Sequence, residues 1–252
     1  MVEITPARCP NCGQHFSVNT FVGEEPLCSN ATLIRPTSYG ASWADIRELI
    51  VGEGCKHKYA LSVGDKICFR LKDGTETFVY VAAIDHYDPN SVIFSFGESL
   101  WSAAMAGNAR EVMLTAHCGW SDSSMVEFLE KTVLPQLPDE LAEVIAPRNI
   151  DQRLEGYICL KKSKLWLPSV VEVFGESVRD EDCEFSVKQF PLFETLPGRM
   201  CYCEGGSYAK PYWTRSPKLL DRQRFWGVNY YGYASAVYTY CLSGARPCFT
   251  IQ

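Results

Sequence analysis

The chain has little excess positive charge: 24 Lys and Arg stand against 30 Asp and Glu, giving a net charge of -6 and an isoelectric point near 5.3. A protein that binds nucleic acid through the phosphate backbone needs concentrated basic charge, so this balance argues against that class. Lys210, Arg215, Lys218, Arg222 and Arg224 form the one local exception, readable as a solvated loop face or as a small anion-friendly patch. No apolar run approaches the ~18 residues a membrane-crossing helix needs. The chain does not open on a charged-then-apolar leader either. The expectation is a protein that is cytoplasmic as made, exported without a signal peptide or carried in a virion. Internal repeats and low-complexity tracts are also missing, so neither a solenoid nor a biased-composition linker is expected.

Hydrophobic residues are 46% of the 252, enough for a sizeable core in one large domain, or in one domain with a small appendage. Twelve cysteines would suit a secreted disulfide scaffold, but in a chain this long without a leader most are expected reduced. Cys68, Cys159 and Cys183 sit in apolar or strand-like contexts and read as small buried hydrophobes. The first thirty residues differ: Cys9-Pro10-Asn11-Cys12-Gly13 is a zinc-ribbon-like knuckle, with two thiolates spaced to share one tetrahedral metal and a glycine that lets the backbone turn. One knuckle is half a site. Cys28 is the natural third ligand, and His15, Cys55 or His57 would have to complete the set. A structural zinc and a degenerate ribbon with free thiols both fit. Residues 1–40 are thus read as a knuckle and linker, and residues 41–252 as the main domain.

Trp43, Ile46, Leu49 and Ile50 fall at helical spacing and stop before Gly52 and Gly54. The runs 66–71 and 77–84 are strand-like and flank the Asp73-Gly74 turn signal, which predicts a hairpin, and 92–96 predicts a further strand. Between them Asp85-His86-Tyr87-Asp88-Pro89-Asn90 invites a metal or acid–base reading. It is also what a strand-to-loop corner looks like, with Asp and Asn satisfying local backbone donors. His117-Cys118 is no dyad, because sequence neighbours do not supply the hydrogen-bond geometry a base and nucleophile need. Ser123 or Ser124 is placed to cap a helix bearing Met125, Phe128, Leu129 and Val133, and Pro138-Asp139-Glu140 opens a second through Leu141, Val144 and Ile145. Apolar runs at 157–160 and 165–174 follow. Cys201 and Cys203, alternate residues, would share a face of a strand but would strain a mutual disulfide.

The stretch 212–252 concentrates Trp, Tyr, Arg and Asn beside glycines and small residues, the composition of a binding surface more than of a plain core. Aromatic residues at strand spacing can equally be core packing. The elements Trp213-Thr214-Arg215-Ser216-Pro217 and Gly244-Ala245-Arg246-Pro247-Cys248-Phe249-Thr250-Ile251 bracket it, with Leu165-Trp166-Leu167-Pro168-Ser169-Val170-Val171-Glu172-Val173-Phe174-Gly175 upstream. Together these motifs resemble a family of uncharacterised bacterial and prophage proteins. That family looks like a C-type-lectin-like domain, similar to the variable proteins of diversity-generating retroelements and more distantly to the formylglycine-generating enzyme fold.

Over residues 43–252 the resemblance implies an α+β C-type-lectin-like fold of small twisted antiparallel sheets, two flanking helices and long irregular loops. It implies structural roles for Trp213, Arg215 and Arg246, the guanidinium groups tying loop carbonyls together. Trp226, Asn229, Tyr230, Tyr231, Tyr233, Ser235, Tyr238 and Tyr240 are then the expected ligand-facing residues, in a non-enzymatic protein that binds a macromolecular target, a protein foremost. Segment 228–243 consists almost entirely of residue types that diversification at adenine-rich codons can reach. Two alternatives stand beside this: a formylglycine-generating-enzyme-like oxidoreductase with Cys241 and Cys248 as its copper pair, and a structural phage or prophage component with a fixed surface. No Glu-Pro-Asn calcium-lectin signature lies in the relevant region, so calcium-dependent sugar recognition is not expected.

Overall fold

The computed structural model describes residues 42–52, 61–107, 119–154, 157–175, 187–203, 208–219, 221 and 223–252, with backbone alone at 2–8, 15–21, 33–34, 153, 154 and 157. Cys9, Cys12 and Cys28, the expected zinc ligands, lie outside them, as do Cys55, His57, His117, Cys118, Cys183 and Arg222. The architecture is mixed α+β. In chain order the strands are β1 Val2–Arg8, β2 His15–Phe21, β3 Leu33–Ile34, β4 Lys66–Arg70, β5 Glu76–Ile84, β6 Val92–Phe96, β7 Trp101–Ala103, β8 Ile145–Ala146, β9 Arg148–Leu154 and β10 Tyr157–Ser163. They continue as β11 Tyr212–Pro217, β12 Arg224–Val228, β13 Ala234–Tyr238, β14 Ser243–Ala245 and β15 Cys248–Ile251. The helices are short: α1 Trp43–Val51, α2 Ser124–Phe128, α3 Asp139–Val144, α4 Val170–Phe174 and α5 Leu196–Arg199.

Two larger sheets and two hairpins result. A six-stranded sheet runs β3-β4-β5-β6-β15-β8, and a five-stranded sheet runs β13-β12-β11-β14-β7. The pairs β1-β2 and β9-β10 stand apart from both. The last strand of the chain, β15, lies antiparallel between β6 and β8, so the C-terminus closes the sheet that begins near residue 33. All five residues of β6 are buried, as a central strand covered on both faces requires. The expected hairpin forms as β4 and β5, and Gly74 takes the turn at a φ of 91°, a left-handed conformation that glycine adopts without penalty.

Helix α1 forms where the apolar spacing places it. Ser42 begins it with a reciprocal cap: its hydroxyl accepts from the Asp45 N–H at 3.1 Å, and the Asp45 carboxylate accepts from the Ser42 N–H at 2.7 Å. Trp43, Ile46 and Ile50 form its buried face. Trp43 meets Phe69, Phe94 and Phe249 edge-on, with ring centroids 5.6, 6.1 and 6.1 Å away, and so joins α1 to β4, β6 and β15 at once.

Some expectations change, and other features appear only in the structure. The run 165–174 contains the short helix α4, because Ser169 and Glu172 make a second capping box at its start. Cys68 is half-buried, whereas Cys159 is buried. Leu33–Ile34, within the stretch read as linker, adds an outer strand to the six-stranded sheet. Ser123 occupies the N-cap of α2 without capping it; its hydroxyl donates to the Trp120 carbonyl at 2.8 Å. Among the described residues no helix is long and apolar enough to cross a membrane.

Trp43→Ala removes one large side chain from three aromatic contacts and should cost about 3–5 kcal/mol. Urea titration checks this: the midpoint should fall while the slope stays that of the wild type.

Candidate binding surface

Strand β11 is the frame of the C-terminal region, and all six of its residues are buried. Trp213 donates its indole N–H to the Ala103 carbonyl at 2.9 Å, holding β11 to the end of β7. The ladder between β11 and β12 is irregular between Trp213 and Pro217. There the Thr214 hydroxyl donates to the Trp226 carbonyl at 2.7 Å, supplying a bond the broken ladder lacks.

Arg215 is fully buried, and its Nη1 donates to the Leu167 carbonyl at 2.7 Å and to Glu172 Oε2 at 2.5 Å. Glu172 is equally buried. Its Oε2 also accepts from the Ser169 N–H at 2.8 Å, while Oε1 accepts from Arg148 Nη1 at 3.0 Å and from the Tyr87 hydroxyl at 2.7 Å. Burial opposes ionisation of this carboxyl, yet the charges of Arg215 and Arg148 outweigh it and hold Glu172 well below the usual carboxylate range. One carboxylate thus pins α4, β11, β9 and the corner after β5.

Arg246 is the second fully buried guanidinium. Its Nε donates to the Phe96 carbonyl at 2.7 Å, and its Nη1 lies 2.9, 3.3 and 3.1 Å from the carbonyls of Gly198, Arg199 and Met200. Its Nη2 has no hydrogen-bond partner among the described residues. Cys201 and Cys248 lie nearby; burial pushes their thiols up to about 11 and about 12, so both are neutral. The guanidinium therefore fastens β14–β15 to the C-terminal end of α5 through carbonyl dipoles.

On this frame sits the β12–β13 hairpin. Asn229 shapes its turn: Oδ1 accepts from the N–H groups of Tyr231 and Tyr233 at 2.9 and 3.1 Å. Gly232 has a φ of 79°, and a Cβ there would come within 2.8 Å of Leu196 Cδ1. Tyr230, Tyr231 and Tyr233 project from this turn with relative exposures of 51%, 59% and 56%. Beyond the other end of β13, Tyr240 is 63% exposed and stacks on Tyr238 with ring centroids 5.3 Å apart. The Arg224 guanidinium lies 4.2 Å from the Tyr238 ring centroid and donates to its hydroxyl.

The eight expected ligand-facing residues thus divide. The five tyrosines are exposed, in two groups at the ends of β13. Trp226 is half-buried against Val170, Val171 and Val187, with Lys218 Nζ 4.8 Å from its ring centroid. Ser235 is half-buried on the face shared with Phe225 and Val237, and the Asn229 side-chain oxygen is engaged within the turn. Among the described members of the basic patch, Arg215 is buried, Lys210 donates to the Ser99 carbonyl, and Arg224 pairs with Asp221 at 3.2 Å.

The corner 85–90 is structural. Asp85 and Asn90 adopt positive φ, Tyr87 bonds Glu172, and the His86 ring packs edge-on against Tyr87 and Phe190. Among the described residues no three His, Cys, Asp or Glu side chains are grouped to hold a metal ion. Glu172 and Arg148 escaped the sequence reading, although the Ser169-x-x-Glu172 spacing was a visible capping signal.

Glu172→Gln leaves Arg215 without its carboxylate and should cost about 3–5 kcal/mol at neutral pH. The folded-state value is depressed, so this contribution is present above the ordinary glutamate value of 4.5 and is lost progressively as the pH falls below it. Urea unfolding between pH 7 and 2 should show acid sensitivity in the wild type and a flatter profile in the variant.

No curated protein and no solved structure matches the chain. The profile of the domain family DUF6273, a domain of unknown function, matches residues 100–252, which takes in the whole five-stranded sheet but only β8 and β15 of the six-stranded one. With more than half of its length matched, the chain belongs to the DUF6273 family.

Proposed function

We propose that this chain is a non-enzymatic binding protein in which a C-type-lectin-like domain presents the β12–β13 hairpin to a protein target, and that the hairpin is the variable window of a retroelement-diversified protein. The observation that carries this reading is the contrast between hairpin and frame. Tyr230, Tyr231, Tyr233, Tyr238 and Tyr240 point to solvent, while the bracketing Trp213, Arg215 and Arg246 are buried. Tyrosine offers a large, amphipathic contact area at low conformational cost, and exposed rings on a fixed scaffold lose little entropy on binding. The motif resemblance over residues 43–252 supplies the lectin-like and retroelement parts of the reading.

The oxidoreductase alternative is less favoured. Copper ligation needs an accessible thiolate, and burial pushes Cys248 up to about 12. A structural phage or prophage component would keep the same surface but need no variation in it.

The DNA flanking the gene tests the diversification directly. A near-copy of the codons for residues 213–249, differing only at adenines and lying beside a reverse-transcriptase gene, is expected. A flank without either contradicts it. For binding, Tyr230→Ala with Tyr231→Ala should weaken a target isolated on the wild-type protein by about 1–3 kcal/mol while leaving Tm in place. Calorimetric titration and a thermal melt measure the two effects; unchanged affinity with a collapsed Tm would assign these rings to packing.

A further inference from the structure

Strand β13 ends the five-stranded sheet, and its outer edge has no strand beside it among the described residues. The Thr239 N–H donates to the Gln223 carbonyl and the Asn229 N–H to the Tyr233 carbonyl. Counting inward from these bonded pairs, Val237 and Ser235 exchange the ladder bonds with β12. Ala234, Ala236 and Tyr238 therefore direct their peptide N–H and C=O groups away from the sheet. The Tyr238 carbonyl accepts from the Cys241 N–H at 2.9 Å, and no further backbone bond among the described residues reaches Ala234 or Ala236.

Among the described residues this edge carries little of the usual protection. From Phe225 to Ala245 the sequence contains no charged residue and no proline, so β13 itself carries neither of these deterrents to the addition of a strand; the nearest charge, Arg224, is engaged by Tyr238 and Asp221. We propose that β13 pairs antiparallel with β13 of a second copy of this chain about a two-fold axis at Ala236, joining two five-stranded sheets into one.

The residue order is self-complementary in that register. Ala236 faces its own mate across the axis, and two small side chains there let the strands approach without side-chain rearrangement. Tyr238 of each copy faces Ala234 of the other, large against small, on the side of the sheet that holds Trp226. Beyond the strand, the same two-fold axis carries Tyr240 and Leu242 of one copy toward the Tyr230–Tyr233 turn of the other. Leu242 is 77% exposed. The exposed parts of the five tyrosines and Leu242 come to roughly 600 Å² per copy, taking about 200 Å² for a whole tyrosine. A pair would bury at most on the order of 1,200 Å² from these side chains, the lower limit for a specific association. Two copies with the net charge of -6 repel one another elsewhere, and this neutral stretch is where they can approach. The pairing rests on backbone geometry and stands whether or not the tyrosines bind a target; if they do, the target and the second copy compete for the same rings.

Sedimentation of the full chain under reducing conditions tests this between about 1 and 100 µM, the range in which so small an interface should titrate. The wild type should pass from monomer to dimer. Ala236→Pro removes an N–H that β12 does not use, and Ala236→Lys opposes two charges at the axis. Each should abolish the dimer with circular dichroism and Tm unchanged, and if the proline variant fails to fold, the lysine variant decides. A wild type that stays monomeric throughout, or a dimer that survives Ala236→Lys, overturns the proposal.

Discussion

The buried pairing of Glu172 with Arg215 is the constraint on which the C-terminal half depends. A carboxylate and a guanidinium with no solvent contact are costly to desolvate, and the pair is tolerable only because every oxygen of Glu172 is used. Three of those partners come from distant parts of the chain, and the fourth caps the helix that carries Glu172. Tyr87 lies after the first hairpin, Arg148 on β9, Ser169 at the start of α4 and Arg215 on β11. A shift of any one element would leave a buried charge unsatisfied, so the pair fixes their mutual placement more than it adds net stability. Arg246 does comparable work by another route, binding four main-chain carbonyls that no sheet ladder satisfies.

This division of labour leaves the β12–β13 hairpin free to do something else. Its backbone is determined from within, by Asn229, Gly232 and the ladder to β12, and from below by Phe225 and Val237 against the core. The tyrosine rings at its two ends lean on each other and on Arg224, not on the core. Side chains that contribute little to the fold can change without unfolding it, which is what a binding surface, fixed or diversified, requires of its scaffold.

Much of the local structure was legible in the sequence. Trp43, Ile46 and Ile50 marked α1 by their spacing, Asp73-Gly74 marked the first hairpin, and the aromatic and small residues after Tyr212 marked a candidate surface. Each signal lies within a dozen residues. What could not be read is set by contacts across the chain. Strand β15 lies between β6 and β8, Leu33–Ile34 joins a sheet from within an apparent linker, and Glu172 stands in an apolar run where a carboxylate looks out of place until its partners are known. The same limit applies to the surface: the resemblance nominated Trp226, Asn229 and Ser235 alongside the tyrosines, but neighbouring elements half-bury Trp226 and Ser235, and the turn engages the Asn229 side chain. The exposed edge of β13 was hidden for a related reason, since strand order is a property of the sheet and not of any segment.

The central claim is that buried charge holds the frame while the tyrosine hairpin is structurally dispensable. A saturation scan of the full chain, read by resistance to proteolysis, tests it most directly. Substitutions at Tyr230, Tyr231, Tyr233 and Tyr240 should leave resistance near that of the wild type, while nearly all at Glu172, Arg215 and Arg246 should abolish it. Equal intolerance at the two sets, or a tolerant Glu172 beside intolerant tyrosines, would contradict the account.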